Sequence, residues 1–163
     1  MTFSNEPAGR EIVIVPCSAA KLAVNRPTPA RHLYTGSYHL MCRRAAERIA
    51  GPAGLLVLSA MHGFVRLDDE LLPYEQRMDA PGHISVEQLR AQASELGILA
   101  ARSLVALGGR AYVDAVTAIR SDTLRPLDGC RGIGEQRSRL ARLAAAADPL
   151  HLARAFATGP APA

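Results

Sequence analysis

Ile12-Val13-Ile14-Val15, closed by Pro16 and followed at once by Cys17-Ser18, is apolar at all of its first four positions. A strand with one wet face alternates, whereas an unbroken apolar run ended by a breaker reads as a strand buried on both faces, the kind found in parallel sheets. Leu55-Leu56-Val57-Leu58 repeats the pattern before Ser59, and Ser103 to Leu107, ended by Gly108-Gly109, supplies a third candidate. Strands buried on both sides need helices on both sides, and the intervals provide them. Ser37 can cap a helix running to Ile49, with Leu40, Met41, Ala45 and Ile49 at helical spacing and Gly51-Pro52 as its stop. Ser85 with Gln88 forms a capping-box pattern ahead of Leu89, Leu96 and Leu99, and another helix spans Tyr112 to Ile119. Strands alternating with helices predict an α/β fold, a mainly parallel sheet flanked by helices on both faces.

The chain has 163 residues, 48% hydrophobic and 21% charged, which suits one domain with a full core and excludes a disordered or fibrous chain. That domain is expected over residues 11–157, between a flexible N-terminus (1–10) and a disordered tail (158–163). Segment 122–157 reads as a small helical appendage, with a helix from Glu135 to Ala147. No run approaches the roughly 20 apolar residues of a membrane span, so no membrane partner is expected and the cytoplasm is the default location. Cys17, Cys42 and Cys130 have no zinc-ligand spacing, and their odd number argues against a disulfide framework. No metal or cofactor is called for. The net charge is +4, carried by arginine almost alone, since Lys21 is the single lysine. Basic chains favour polyanionic partners, although an arginine-rich surface explains the excess equally well.

In an open parallel sheet, ligands bind beyond the carboxyl ends of the strands. The uncommon residues of this sequence fall there: Cys17, Ser18 and Lys21 after the first strand, Ser59, His62 and Gly63 after the second, Gly108 and Gly109 after the third. Cys17 reads as a small core residue or as a thiol near a cation, and Lys21 as a solvated side chain or a point charge for an oxygen. Histidine exchanges protons near neutral pH, so His62 is a candidate acid or orienting group as well as a structural one. Asp69, within Asp68-Asp69-Glu70, and Glu75, after Pro73-Tyr74, are candidate carboxylates, and Tyr74 is a candidate stacking platform for a planar base. The long loop before the first helix ends in Tyr34-Thr35-Gly36-Ser37, where Tyr34, Gly36 and Ser37 read as an anion or sugar subsite or as a plain turn and cap. Asp128-Gly129-Cys130-Arg131-Gly132-Ile133-Gly134 resembles the turn of a helix-hairpin-helix, with Arg131, Arg137, Arg139 and Arg142 as candidate DNA-phosphate contacts.

Taken together, Pro16-Cys17-Ser18 with Lys21, Tyr34-Thr35-Gly36-Ser37, Leu58 to Gly63 and Pro73-Tyr74 resemble an uncharacterised bacterial domain family with PCSxxK, YxGS, LSAxxG and PY motifs. More distantly they are similar to the YaaA peroxide-stress proteins and to the PCS-containing domain of archaeosine synthases. The resemblance implies an α/β domain associated with nucleic acid or modified nucleobases. The leading expectation is an enzyme acting on a nucleobase, nucleoside or DNA by cleaving or exchanging an N-glycosidic bond. Ser18, Lys21 and Ser37 would hold oxygens, Tyr74 the base, and His62, Asp69 and Glu75 the protons and water. The alternatives are a noncatalytic DNA-binding stress protein and a nucleotide-sensing module.

Overall fold

The computed structural model describes residues 9–159. The run at residues 12–15 lies within strand β1 (Glu11–Pro16), and β3 (Leu55–Ser59) and β6 (Ser103–Ala106) pair with it in parallel, one on each side. Val13 and Val15 are fully buried, as expected of a central strand covered on both faces. The sheet order is β4-β3-β1-β6, and β4 (Gly63–Val65) runs antiparallel to β3, pairing Val57 with Val65 and Ser59 with Gly63. This short reversed edge was not legible as a strand. It carries the chain back toward the amino ends of the sheet before the loop returns to the site.

Helix α2 (Ser37–Ala50) covers β1, and α5 (Ile133–Ala145) and α6 (Pro149–Thr158) pack with it as one layer. Helices α3 (Val86–Glu95) and α4 (Arg110–Ile119) pack together on β4 and β6 as another. The fold is therefore α/β with a mostly parallel sheet between helices. A two-residue pairing of β2 (Thr28–Pro29) with β5 (Glu70–Leu71), followed by the single-turn helix α1 (Ala30–Leu33), pins the long loop after β1.

Several boundaries differ from the sequence reading. The capping box of α3 forms as expected, Ser85 Oγ accepting from the Gln88 amide and the Gln88 side chain from the Ser85 amide, but Leu99 lies beyond the helix. Gly97, at φ +75°, ends the helical path, and Leu99 is exposed. The C-terminal part packs as a layer, burying Leu140, Leu143 and Ala153, and α6 is a separate helix started by Asp148 accepting from the His151 amide with Pro149 in its first turn. The segment before α5 is no tight hairpin between helices. Residues 120–132 separate α4 from α5, and Leu124 within them bridges Val105 in parallel. At the N-terminus, Arg10 belongs to the fold, since its carbonyl accepts from the Arg102 amide at 3.0 Å and its guanidinium donates to the Ala53 carbonyl. At the other end Thr158, expected in the tail, closes α6 with its hydroxyl donating to the Arg154 carbonyl, and residues 1–8 and 160–163 of the terminal expectations lie outside the described residues.

Candidate functional site at the carboxyl ends of the strands

Beyond β1 the ladder continues for one residue, the Cys17 amide donating to the Leu58 carbonyl at 3.0 Å, and the chain then turns at Ser18. Ser18 Oγ accepts from the Gly36 amide at 3.0 Å and donates to the Ala20 carbonyl, lacing the turn to the loop before α2. A Cβ on Gly36 would stand 2.7 Å from Ser18 Oγ, so glycine is what lets the two segments meet. Lys21 bridges Tyr34 in antiparallel fashion, and its ammonium donates to the Ser18 carbonyl at 2.8 Å. Partial burial pulls its pKa below the usual lysine value, against the opposing pull of Cys17 and Glu75. From α2, the buried His39 places Nδ1 2.6 Å from the Pro16 carbonyl, and burial lowers its pKa to about 4, so the ring is neutral and donates there.

Beyond β3, Ser59 Oγ accepts from the amides of Met61 and His62 at 3.2 and 2.9 Å and so closes the corner. It also lies 2.6 Å from Tyr74 Oη, which in turn lies 2.7 Å from Tyr34 Oη. The His62 ring meets Tyr74 edge-on, centroids 5.1 Å apart, and the Lys21 ammonium sits 4.3 Å from the Tyr74 centroid and 5.7 Å from that of Tyr34. Desolvation pushes Tyr34 up to about 12 and Tyr74 further, so both phenols remain protonated donors. Cys17 faces Tyr112, Sγ to Oη 3.3 Å, at the rim of this cluster. Four separated segments thus meet in one hydrogen-bonded group.

The remaining candidates are placed otherwise. Glu75 is exposed and acts on Lys21 only through its field. Asp69 follows β4 at its far end, with its carboxylate accepting from the Arg66 amide and its carbonyl from the Ala30 amide, which makes it a turn residue away from the tyrosines. Tyr74 is not an open stacking platform, because its hydroxyl is turned inward and its ring is already met by Lys21 and His62. Ser37 Oγ accepts from Arg137 instead of standing free. Gly108, at φ +135°, lets the end of β6 pass over Pro16, where a Cβ would come within 3.1 Å, and Gly109 precedes α4. Arg137 also lies over the Tyr38 ring, Arg139 donates to the Pro126 and Asp128 carbonyls, and both Arg139 and Arg142 lie over Phe156. Those three arginines fasten the C-terminal layer. Arg131 is exposed, with its backbone amide donating to Glu135.

Gln92 on α3 was missed by the sequence reading. Its Oε1 accepts from the Phe64 amide at 2.8 Å and its Nε2 donates to the His62 carbonyl at 2.9 Å, bracketing the corner that carries His62. A glutamine on a helix face gives no sequence signal for such a contact. A cleft of about 570 Å³ lies at the opposite, amino ends of β1 and β3, lined by Arg10, Arg31, Leu55, Arg66 and Glu95 among others. It contains no hydroxyl or imidazole and none of the candidate residues. Among the described residues, no group of three or more His, Cys, Asp or Glu side chains is placed to hold a metal ion, and no helix is long and apolar enough to cross a membrane.

The chain is similar to the uncharacterized protein YfjM of Bacillus subtilis (strain 168), 29% identical over 135 residues that cover 77% of this chain and 89% of that relative. No solved structure matches it. Residues 12–142, which hold all of the sheet but Glu11, the tyrosine cluster and most of α5, match the profile of a family of unknown function (DUF6884), and the chain belongs to that family.

Proposed function

We propose that the cluster at the carboxyl ends of β1 and β3 binds a nucleobase-bearing ligand, a nucleoside or DNA, and hydrolyses its N-glycosidic bond. The observation that supports this most is the meeting of Lys21, Tyr34, Ser59 and Tyr74 in one partly buried cluster of hydroxyls and an ammonium, with the exposed His62 against Tyr74 and the exposed Glu75 within the field of Lys21. In hydrolysis, water adds to the anomeric carbon and the bond to the base nitrogen breaks. The bonding pair leaves with the base, which takes a proton from His62, while the attacking water gives its proton to Glu75. Lys21 and the tyrosines hold oxygens of the base or sugar. Glu75 takes the carboxylate role in this scheme because Asp69 is committed to its turn. The resemblance to YaaA proteins and archaeosine synthase domains supports a nucleobase ligand as well. The noncatalytic DNA-binding reading has less support, since Arg137, Arg139 and Arg142 are tied within the fold.

Incubation of the chain with a panel of nucleosides and base-substituted DNA, analysed by mass spectrometry, tests the reading. Release of a free base by the wild type, with loss in His62→Ala and Glu75→Gln, is the expected result. No release from any substrate, or full turnover in both variants, would overturn it.

A further inference from the structure

The cleft at the amino ends of β1 and β3, about 570 Å³, is large enough for a small molecule, and the reaction proposed at the carboxyl ends does not use it. Its walls are apolar, with Leu55, Leu56 and Leu67 among them, and every polar side chain in its lining is charged: Arg10, Arg31, Arg66, Asp68 and Glu95. A sugar or a base would find no hydroxyl, amide or imidazole side chain there to read its edges. Arg31, Asp68 and Arg10 have partners within the fold. Arg31 donates to Asp68, so each neutralises the other, and Arg10 donates to the Ala53 carbonyl at 3.0 Å. Arg66 and Glu95 are both exposed, and among the described residues their side chains make no hydrogen bond or ion pair, with each other or with any other group.

The backbone fixes where both of these charges stand. Arg66 opens the turn after β4, where its amide donates to the Asp69 carboxylate at 2.8 Å and its carbonyl accepts from the Asp69 amide at 3.1 Å. Glu95 is the last residue of α3, ahead of the left-handed Gly97, and no basic residue accompanies it in that turn. The C-terminal end of a helix carries negative potential, so a carboxylate there stands against the local field and a cation beside it is favoured. A local conflict left uncompensated within the chain marks a place where something from outside completes the arrangement. A monocarboxylate would satisfy Arg66 and add to the repulsion at Glu95, and a simple amine would do the opposite. A molecule carrying both charges on an apolar body satisfies the two ends and the walls together. We infer that this cleft binds such a zwitterion, an apolar amino acid or dipeptide, with its carboxylate on Arg66, its ammonium on Glu95 and its side chain against Leu55, Leu56 and Leu67.

The test is a nuclear magnetic resonance titration of the full isotope-labelled chain, followed at the backbone amides of Gly54, Leu96 and Gly97, which line the cleft. Leucine and leucyl-leucine are the probes. Isocaproate serves as leucine without its ammonium, isoamylamine as leucine without its carboxylate, and glycine as the zwitterion without its apolar body. At least one of the two probes is expected to shift those amides and to bind about three- to tenfold more tightly than isocaproate, isoamylamine or glycine. Leucine ahead of leucyl-leucine identifies a free amino acid as the ligand and the reverse order a peptide, and either order supports the inference. Arg66→Gln should erase the advantage of the zwitterion over isoamylamine, and Glu95→Gln its advantage over isocaproate, each leaving the other contrast in place. The wild-type comparison decides the matter even where a variant fails to fold. No shifts from either zwitterion, shifts confined to other parts of the chain, or a control bound as tightly as the zwitterion overturns the inference. None of these outcomes touches the reaction proposed at the carboxyl ends, which stands or falls on base release.

Discussion

Gly63→Ala perturbs the corner that presents His62, and its cost can be worked from the geometry. Gly63 sits at φ +79°, and a Cβ there would stand 2.1 Å from Gln92 Oε1 and 2.7 Å from Ile84 Cδ1. The left-handed backbone alone costs a residue with a side chain about 1–2 kcal/mol. Gln92 must also withdraw, which gives up its hydrogen bonds to the Phe64 amide and the His62 carbonyl, each contributing about 1 kcal/mol. The expected destabilisation is about 3–4 kcal/mol, or a fall in Tm of roughly 10 °C for a domain of this size. Urea unfolding followed by circular dichroism measures it. Gly134→Ala serves as the control: nothing lies within 4 Å of its Cβ position in helix α5, so alanine there is expected to stabilise by about 0.5–1 kcal/mol. In a Gln92→Ala background, Gly63→Ala keeps only its backbone cost of about 1–2 kcal/mol. A cost below about 1 kcal/mol in the wild-type background, or the same cost with and without Gln92, would refute the bracket.

The remaining expectations concern titration and the C-terminal layer. Burial lowers the His39 pKa from 6.5 to about 4, so its contribution is fully present above pH 6.5 and is lost as pH falls toward 4. The loss is on the order of 3 kcal/mol, and His39→Gln should remove that acid slope from stability measured across this range, an unchanged slope counting against the assignment. Tyr34, Tyr38, Tyr74 and Tyr112 all titrate above the ordinary value of 10.0 because they are desolvated, so their stabilisation is intact below pH 10 and is lost as pH rises beyond it. Tyrosinate absorbance should therefore rise together with the loss of circular dichroism; tyrosinate forming near pH 10 in a folded chain would contradict the burial argument. Arg137→Met removes the contacts to Ser37 and Met41 and should cost about 1 kcal/mol in unfolding while leaving any DNA affinity unchanged. Weakened DNA binding with unaltered melting would instead return Arg137 to the nucleic-acid reading.

The parallel core was legible because a strand covered on both faces has no polar position to alternate with, and residues 12–15 and 55–58 are such runs. The meeting of Ser18, Lys21, Tyr34 and Ser59 followed from topology, since carboxyl ends of parallel strands share one edge. What the sequence left open was direction. β4 is three residues long, too short for a pattern, yet its reversal sends Asp69 to one end of the sheet while the loop after β5 returns Tyr74 to the other. Asp69 and the Tyr74-Glu75 segment, close in sequence, were thereby separated. The surroundings of the arginines were illegible for another reason: charge counts do not say whether a guanidinium faces water or a backbone carbonyl, and Arg139 faces two carbonyls.

Ser59 joins the architecture of the site to its chemistry. A serine at a strand end commonly caps the amides of the following turn, and here those amides belong to Met61 and His62. Capping occupies the oxygen's lone pairs and leaves only its hydrogen to offer. The turn that positions His62 therefore also fixes the sense of the hydroxyl relay, pointing donation toward the tyrosines and never back. A threonine could accept the same amides, but its extra methyl would enter a position where Ser59 is already fully buried. An alanine would free the corner and also allow Tyr74 to point its hydrogen anywhere. The filled lone pairs of one serine thus set the direction of its contact with the phenol, Ser59 donating and Tyr74 accepting.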